Sequence, residues 1–386
     1  MTFFSYDSIS ANIINRTGTI TTLIDIFSSF SSSSAFEDEA AQREQIATLA
    51  LWCLTRICRS AEIANEMIKA DLVAVICSKT LRIGFAHSYL IGRYGAWLLG
   101  NLVCTDSIAE SMDLKYGIVA EVVEFLRRVV GRSSPSNTNG GPVPPPPAPE
   151  DVSAALYPLA RLSRTMKLSK SLTIGGKSTK NGTSTDVGVI LLLSSILSTS
   201  NDAALLGWAS RTVGCLIRPN SAEVARAMLD GGIGTGLSRV PRVLTTEEAL
   251  GLTSNGDAPA PLASFAFAIS RFSCAEWGAG IRKRLVEDGV VDSLLSALRT
   301  ASDEPCPEVH VELALAVSFL GDVGGREIRK EVIRAGGVDI LKQVAEDAKT
   351  RGGKQADEVV KVCNMAVTSI TGNLWTRNAG MKSFIV

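Results

Sequence analysis

The sequence predicts an all-α solenoid built from repeated helical units, and three observations carry that prediction. First, a short apolar helical run returns about every 50 residues, the spacing at which self-similarity marks a repeat architecture. The seven copies begin near 52, 97, 157, 211, 267, 315 and 365. Second, small or glycine corners recur at matching places: Gly18, Ala70-Asp71, Gly117, Gly175-Gly176, Gly231-Gly232, Gly289 and Gly336-Gly337. Third, the chain has 386 residues and 46% hydrophobic content but only 6% aromatics. That is long for one core, yet a stack in which each unit packs only on its neighbours escapes the limit.

The clearest copy is Gly95-Ala-Trp-Leu-Leu-Gly-Asn-Leu-Val103. Trp97 and Asn101 are four residues apart, so a ring and an amide share one helix face. Related runs are Leu51-Trp-Cys-Leu-Thr-Arg-Ile57, Leu156-Tyr-Pro-Leu-Ala-Arg-Leu162 and Ser210-Arg-Thr-Val-Gly-Cys-Leu216. Ala266-Phe-Ala-Ile-Ser-Arg-Phe272, Ala314-Leu-Ala-Val-Ser-Phe-Leu320 and Asn364-Met-Ala-Val-Thr-Ser-Ile370 complete the set. After each run comes a polar break, an amphipathic stretch, a corner and a second apolar helix. Glycine suits the corner because it takes the left-handed helix stop without a Cβ clash. Each unit is therefore a short helix, a corner and two longer helices, the last carrying the run. The units divide near 1–58, 59–103, 104–163, 164–217, 218–274, 275–321 and 322–371, with a partial unit at 372–386. All belong to one array over 1–386.

Excess length is expected in loops. Residues 131–150 (GRSSPSNTNGGPVPPPPAPE) contain four consecutive prolines, which favour polyproline II over helix. They are read as a solvated insertion; a ligand for a proline-binding module is the sharper alternative. Residues 27–36, 177–186 and 253–261 are read the same way.

Charge gives no global direction, since Lys+Arg and Asp+Glu are 39 each. No field draws the whole chain to nucleic acid or membrane, so charge-driven recognition has to be local. The longest apolar run, 187–197, is too short to span a bilayer. Eight scattered cysteines without a CxxC pair fit reduced thiols in the cytoplasm or nucleus.

Catalytic signals are poor. His87 and His310 lie in different units with no motif around them, His310 at an expected helix start. Gly175-Gly-Lys-Ser178 lacks the leading glycine of a phosphate-binding loop and follows an expected helix end instead of a strand. No catalytic residue, metal ligand or cofactor is expected. Arg161, Arg164, Lys167 and Lys170 form a basic stripe if one helix carries them all; the repeat pattern splits them between two.

The repeat pattern resembles armadillo repeats over nearly the whole chain, with Asn15 to Phe27 similar to the end of a first helix, a corner and a second helix. That resemblance implies a right-handed superhelix of about seven units whose third helices line a concave groove. Thr376 to Val386 resembles a first helix cut before its corner, which implies a partial terminal unit and possible end-to-end self-association. The successive runs Trp52-Cys-Leu-Thr-Arg56, Trp97-Leu-Leu-Gly-Asn101 and Tyr157-Pro-Leu-Ala-Arg161 resemble, in order, those of the importin-α family of nuclear-localisation-signal receptors. The implied site is an extended-peptide groove at Trp52, Arg56, Trp97, Asn101, Asp106, Tyr157 and Arg161, with Arg211, Phe267 and Arg271 further along. In that reading Asn101 would bond the peptide backbone, the rings would hold Lys or Arg stems, and Asp106 would meet a lysine. Arg56 and Arg161 stand where the family carries asparagine. They support the alternative of an armadillo scaffold for acidic partners, such as a small GTPase surface or an acidic tail.

Overall fold

The computed structural model describes residues 18–29, 37–82, 89–131, 148–173, 188–217, 222–252, 258–275, 279–302, 306–323 and 325–372. Among them the secondary structure is helical, with no strand. The chain divides into two compact units, Met1–Leu172 and Thr173–Val386.

In the first unit the described helices are α1 (Thr19–Ser29), α2 (Glu37–Ile57), α3 (Ala61–Lys69), α4 (Leu72–Ile76, continuing as a π-helical turn, Cys77–Leu81), α5 (Tyr89–Leu102), α6 (Asp106–Tyr116), α7 (Ile118–Gly131), α8 (Pro149–Leu162) and α9 (Met166–Thr173). The second unit contains α10 (Val189–Thr199), α11 (Ala203–Leu216), α12 (Ala222–Asp230), α13 (Ile233–Val243), the single turn α14 (Thr246–Ala249), α15 (Pro261–Ala275), α16 (Ala279–Glu287), α17 (Val290–Ser302), α18 (Pro307–Val323), α19 (Gly325–Arg334), α20 (Gly337–Arg351) and α21 (Lys354–Thr371). The seven apolar runs all fall on long helices: α2, α5, α8, α11, α15, α18 and α21.

Local chemistry explains the short–corner–long rhythm. Ser60 and Thr105 cap α3 and α6 by accepting from the N–H groups of Ile63 and Ile108, each satisfying one of the orphan donors at a helix start. The corners take the left-handed conformation, with φ of +62° at Gly117 and +82° at Gly232. Asp71 does so without being glycine, at φ +58°. Its carboxylate accepts from the Tyr116 hydroxyl at 2.8 Å, which holds one corner against the next short helix and offsets the cost of that backbone.

Packing runs between neighbours in the chain. In the first unit α2 lies on α5 and α5 on α8; in the second α11 lies on α15, α15 on α18 and α18 on α21. The layers are sealed by residues wholly out of solvent, among them Leu51, Leu98, Leu99 and Leu156 in the first unit and Leu206, Phe265, Phe272 and Leu313 in the second. Arg93 on α5 pairs at 2.8 Å with Asp151 on α8, whose carboxylate is buried, so this step of the stack also carries a paired charge.

Several expectations shift. The serine-rich loop expected from 27 begins later, because Phe27 lies in the last turn of α1 and is fully buried. The proline-rich insertion 131–150 is shorter at both ends: Gly131 closes α7 and Pro149 opens α8, where its missing N–H costs nothing. Pro261 likewise opens α15. The basic residues split, with Arg161 ending α8 and Lys167 and Lys170 on α9. His310 is buried in the first turn of α18, its Nε2 2.6 Å from the Ala301 carbonyl oxygen. His87, 175–186, 15–17 and 376–386 lie outside the described residues. No helix among the described residues is long and apolar enough to cross a membrane.

Candidate functional site

Within the first unit, α2, α5 and α8 bring together the residues singled out from the sequence. Trp52 is 40% exposed and carries the Arg56 guanidinium 5.8 Å from its ring centroid, within cation–π range. Trp97 is half-buried and lies 6.2 Å from Tyr157, the rings tilted by 47°. Gly100, one turn beyond Trp97, makes that approach possible. A Cβ there would stand 2.3 Å from Cδ1 of Tyr157, well inside any tolerable contact.

Asn101 has a structural task that its place on the motif did not reveal. Its Nδ2 donates to the Thr55 carbonyl oxygen at 3.0 Å. Its Oδ1 accepts from the Tyr157 hydroxyl at 2.8 Å. Thr55 sits in the last turn of α2, where carbonyls have no partner inside the helix. One amide thus ties three successive long helices together. A peptide backbone approaching Asn101 finds the carbonyl side of the amide engaged and one amide hydrogen already used.

Asp106 is also engaged. Arg164, in the turn after α8, donates to it at 2.9 Å. An incoming lysine would have to displace that guanidinium.

The remaining polar groups lean to positive charge. Arg56 and Arg59 stand at the C-terminal end of α2, Arg161 and Arg164 at that of α8, and the Asp106 carboxylate is taken by Arg164. Among the described residues Arg161 makes no ion pair, and its buried Nε has no hydrogen-bond acceptor. Trp97 Nε1 is in the same condition. Both are donors only. Burial and the neighbouring Cys104 push the Cys58 thiol up to about 12, a rise that Arg59 and Arg161 partly oppose. Burial likewise raises the Tyr157 hydroxyl, again against Arg161. Both shifts keep these groups neutral, so they do not offset the cations.

In the second unit the same register is used differently. Phe267 on α15 is within cation–π range of two guanidinium groups, Arg211 at 4.2 Å and Arg271 at 5.0 Å from the ring centroid. Gly214 receives this ring as Gly100 receives Tyr157: its Cβ would be 2.3 Å from Phe267 Cδ1. A glycine three residues after the slot residue, Trp97 in one copy and Arg211 in the other, followed by an aromatic at the slot of the next copy, is thus the signal for a ring seated against a helix. It was readable in both runs. Among the described residues no group of three His, Cys, Asp or Glu side chains could hold a metal ion.

No family model matches the chain, and no curated protein does. Among solved structures it is similar to the crystal structure of an engineered protein, 16% identical over 94% of this chain and 97% of that one. The TM-score is 0.42, a likeness too slight to bear on fold or function.

Proposed function

We propose that the chain is an armadillo-type, non-catalytic adaptor, and that the face formed by α2, α5 and α8 receives an acidic segment of a protein partner. The observation that carries this reading is Arg161, a half-buried cation beside Tyr157 with no counter-ion among the described residues. A ligand carboxylate would supply the acceptor that this guanidinium lacks, in a charge-assisted bond of about 1.5–3 kcal/mol. Trp52, exposed beneath Arg56, adds apolar area at the rim.

The alternative suggested by the importin-α resemblance is a basic signal peptide on the same face. It asks more of the residues present. Asp106 would have to leave Arg164, and Asn101 would have to leave Thr55 or Tyr157. A ligand lysine about 5 Å from Arg161 would be repelled by about 3 kcal/mol at an effective dielectric of about 20. Electrostatics therefore favours the acidic ligand.

The experiment is a titration of the full chain against two labelled peptides, one rich in Glu and Asp and one rich in Lys and Arg. The acidic peptide is expected to bind, and Arg161→Gln to weaken it by about tenfold. Binding of the basic peptide alone, or an acidic affinity untouched by Arg161→Gln, would remove the proposal. If the basic peptide binds and Asn101→Ala weakens it, the signal-receptor reading takes its place.

A further inference from the structure

A cleft in the second unit, enclosing about 710 Å³ among α11, α15, α18 and α21, is not used by the proposed adaptor face. That volume lies in the range of small-molecule pockets. Its charged lining is uneven. Among the described lining residues, Glu308 and Glu312 from α18 and Glu358 from α21 meet one cation, Arg211. With all four ionised, three negative charges and one positive leave −2. Arg211 is stacked on Phe267, and none of the three carboxylates forms an ion pair with a described residue. Burial raises the Glu312 carboxyl, while Arg211 and Arg271 lower it; a cationic ligand would favour its charged form.

Ser264 supplies a second, independent observation at the cleft. It lines the cleft and is fully buried, yet its Oγ has no hydrogen-bond partner among the described residues. Two other serines of the same helix satisfy themselves, Ser270 donating to Ala266 and Ser273 to Ile269 one turn back. Ser264 does not use that option, which leaves an oxygen able to accept an N–H. Trp208, at the α11 wall, adds an aromatic side chain of the type that attracts ammonium groups.

These features select a ligand with more than one amino group and an apolar spacer. Glu308 and Glu312 are one turn apart, about 6 Å, and Glu358 comes from another helix. Ala263 and Val309 supply apolar lining. We propose that this cleft binds a linear organic di- or polyamine, its ammonium groups taken by Glu308, Glu312 and Glu358 and by the Ser264 hydroxyl. The same alkylammonium chemistry occurs on a lysine side chain, so the test separates the two sources.

Calorimetric titration of the full chain with spermidine, putrescine and a capped lysine-containing peptide decides it, with magnesium chloride at matched ionic strength as control. Spermidine is expected to bind one to one and more tightly than putrescine, with Glu312→Gln and Ser264→Ala each weakening it by about tenfold. Glu308→Gln and Glu358→Gln, both at exposed positions, keep the test intact if a buried variant fails to fold. The proposal falls if spermidine gives no binding, if magnesium abolishes it as a simple counter-ion would, or if the folded carboxylate variants bind unchanged. Binding of the lysine peptide without spermidine also overturns it, in favour of a protein ligand.

Discussion

Asn101 offers the sharpest perturbation, because its two bonds span three helices. Truncation to alanine leaves the Thr55 carbonyl and the Tyr157 hydroxyl without their partner. A fully buried group left unsatisfied costs about 1–3 kcal/mol. Asn101 and Tyr157 are only half-buried, so water recovers part of that, and about 1 kcal/mol per lost bond is the better figure. Asn101→Ala should therefore destabilise the first unit by about 2–3 kcal/mol once lost packing is included. Tyr157→Phe removes one bond and should cost about 1 kcal/mol. The double variant should cost less than the sum by about 1 kcal/mol, because the bond between the two side chains can be lost only once. Urea unfolding followed by far-ultraviolet circular dichroism reads each corner of this cycle. With a slope of about 2 kcal/mol per molar, the alanine variant should lower the midpoint by about 1–1.5 M. Additivity within about 0.3 kcal/mol would refute the bridging role. So would an Asn101→Ala midpoint equal to the wild type, which would return the amide to the role of a ligand contact.

Further outcomes follow from burial and close approach. Gly100→Ala and Gly214→Ala should each cost about 1–3 kcal/mol by overpacking, since the added Cβ meets the Tyr157 ring, bonded through its hydroxyl to Asn101, or the Phe267 ring, attended by two guanidinium groups; an unchanged thermal midpoint would mean that the rings move aside. Alkali should destabilise the fold. The Cys58 and Cys363 thiols are pushed up to about 12 and Cys77 to about 11 by burial, from an ordinary value of 9.0. Between those values the unfolded chain has released protons that the native chain still holds, so stability is full below 9 and is lost as pH climbs toward 11–12. Melting at stepped pH, with Cys58→Ala and Cys363→Ala flattening the decline, checks this. His310 works in the opposite direction. Burial holds its imidazole below the ordinary 6.5, so the stability it lends is present above that value and is lost as pH falls through the depressed one. His310→Gln should show a shallower acid decline in the same assay, and an identical decline would discard the assignment.

The helical units were legible because their signals are local. A period-3.6 apolar face, a serine or threonine cap and a glycine corner act within a few residues, so Gly117, Gly232 and Gly336 could be placed before any contact was known. The aromatic and polar slots at 52, 97, 157, 211 and 267 could be placed too, since a four-residue spacing fixes a shared helix face. What a slot residue does was not legible, because that depends on groups tens of residues away in sequence. Asn101 is occupied by Thr55 and Tyr157, 46 and 56 residues distant. Asp106 is occupied by Arg164, 58 residues distant. Even the loop limits near Phe27 and Pro149 were settled by which residues found a buried neighbour or a free helix start. The all-α class, the recurrence of the apolar runs and the residues that share a face could all be read from local pattern. Which side chains hold helices together, and which, such as Arg161 and Ser264, keep polar atoms with no partner among the described residues, came from packing. Periodicity fixes the direction of a side chain, whereas hydrogen bonding and desolvation depend on what the neighbouring helices bring to meet it.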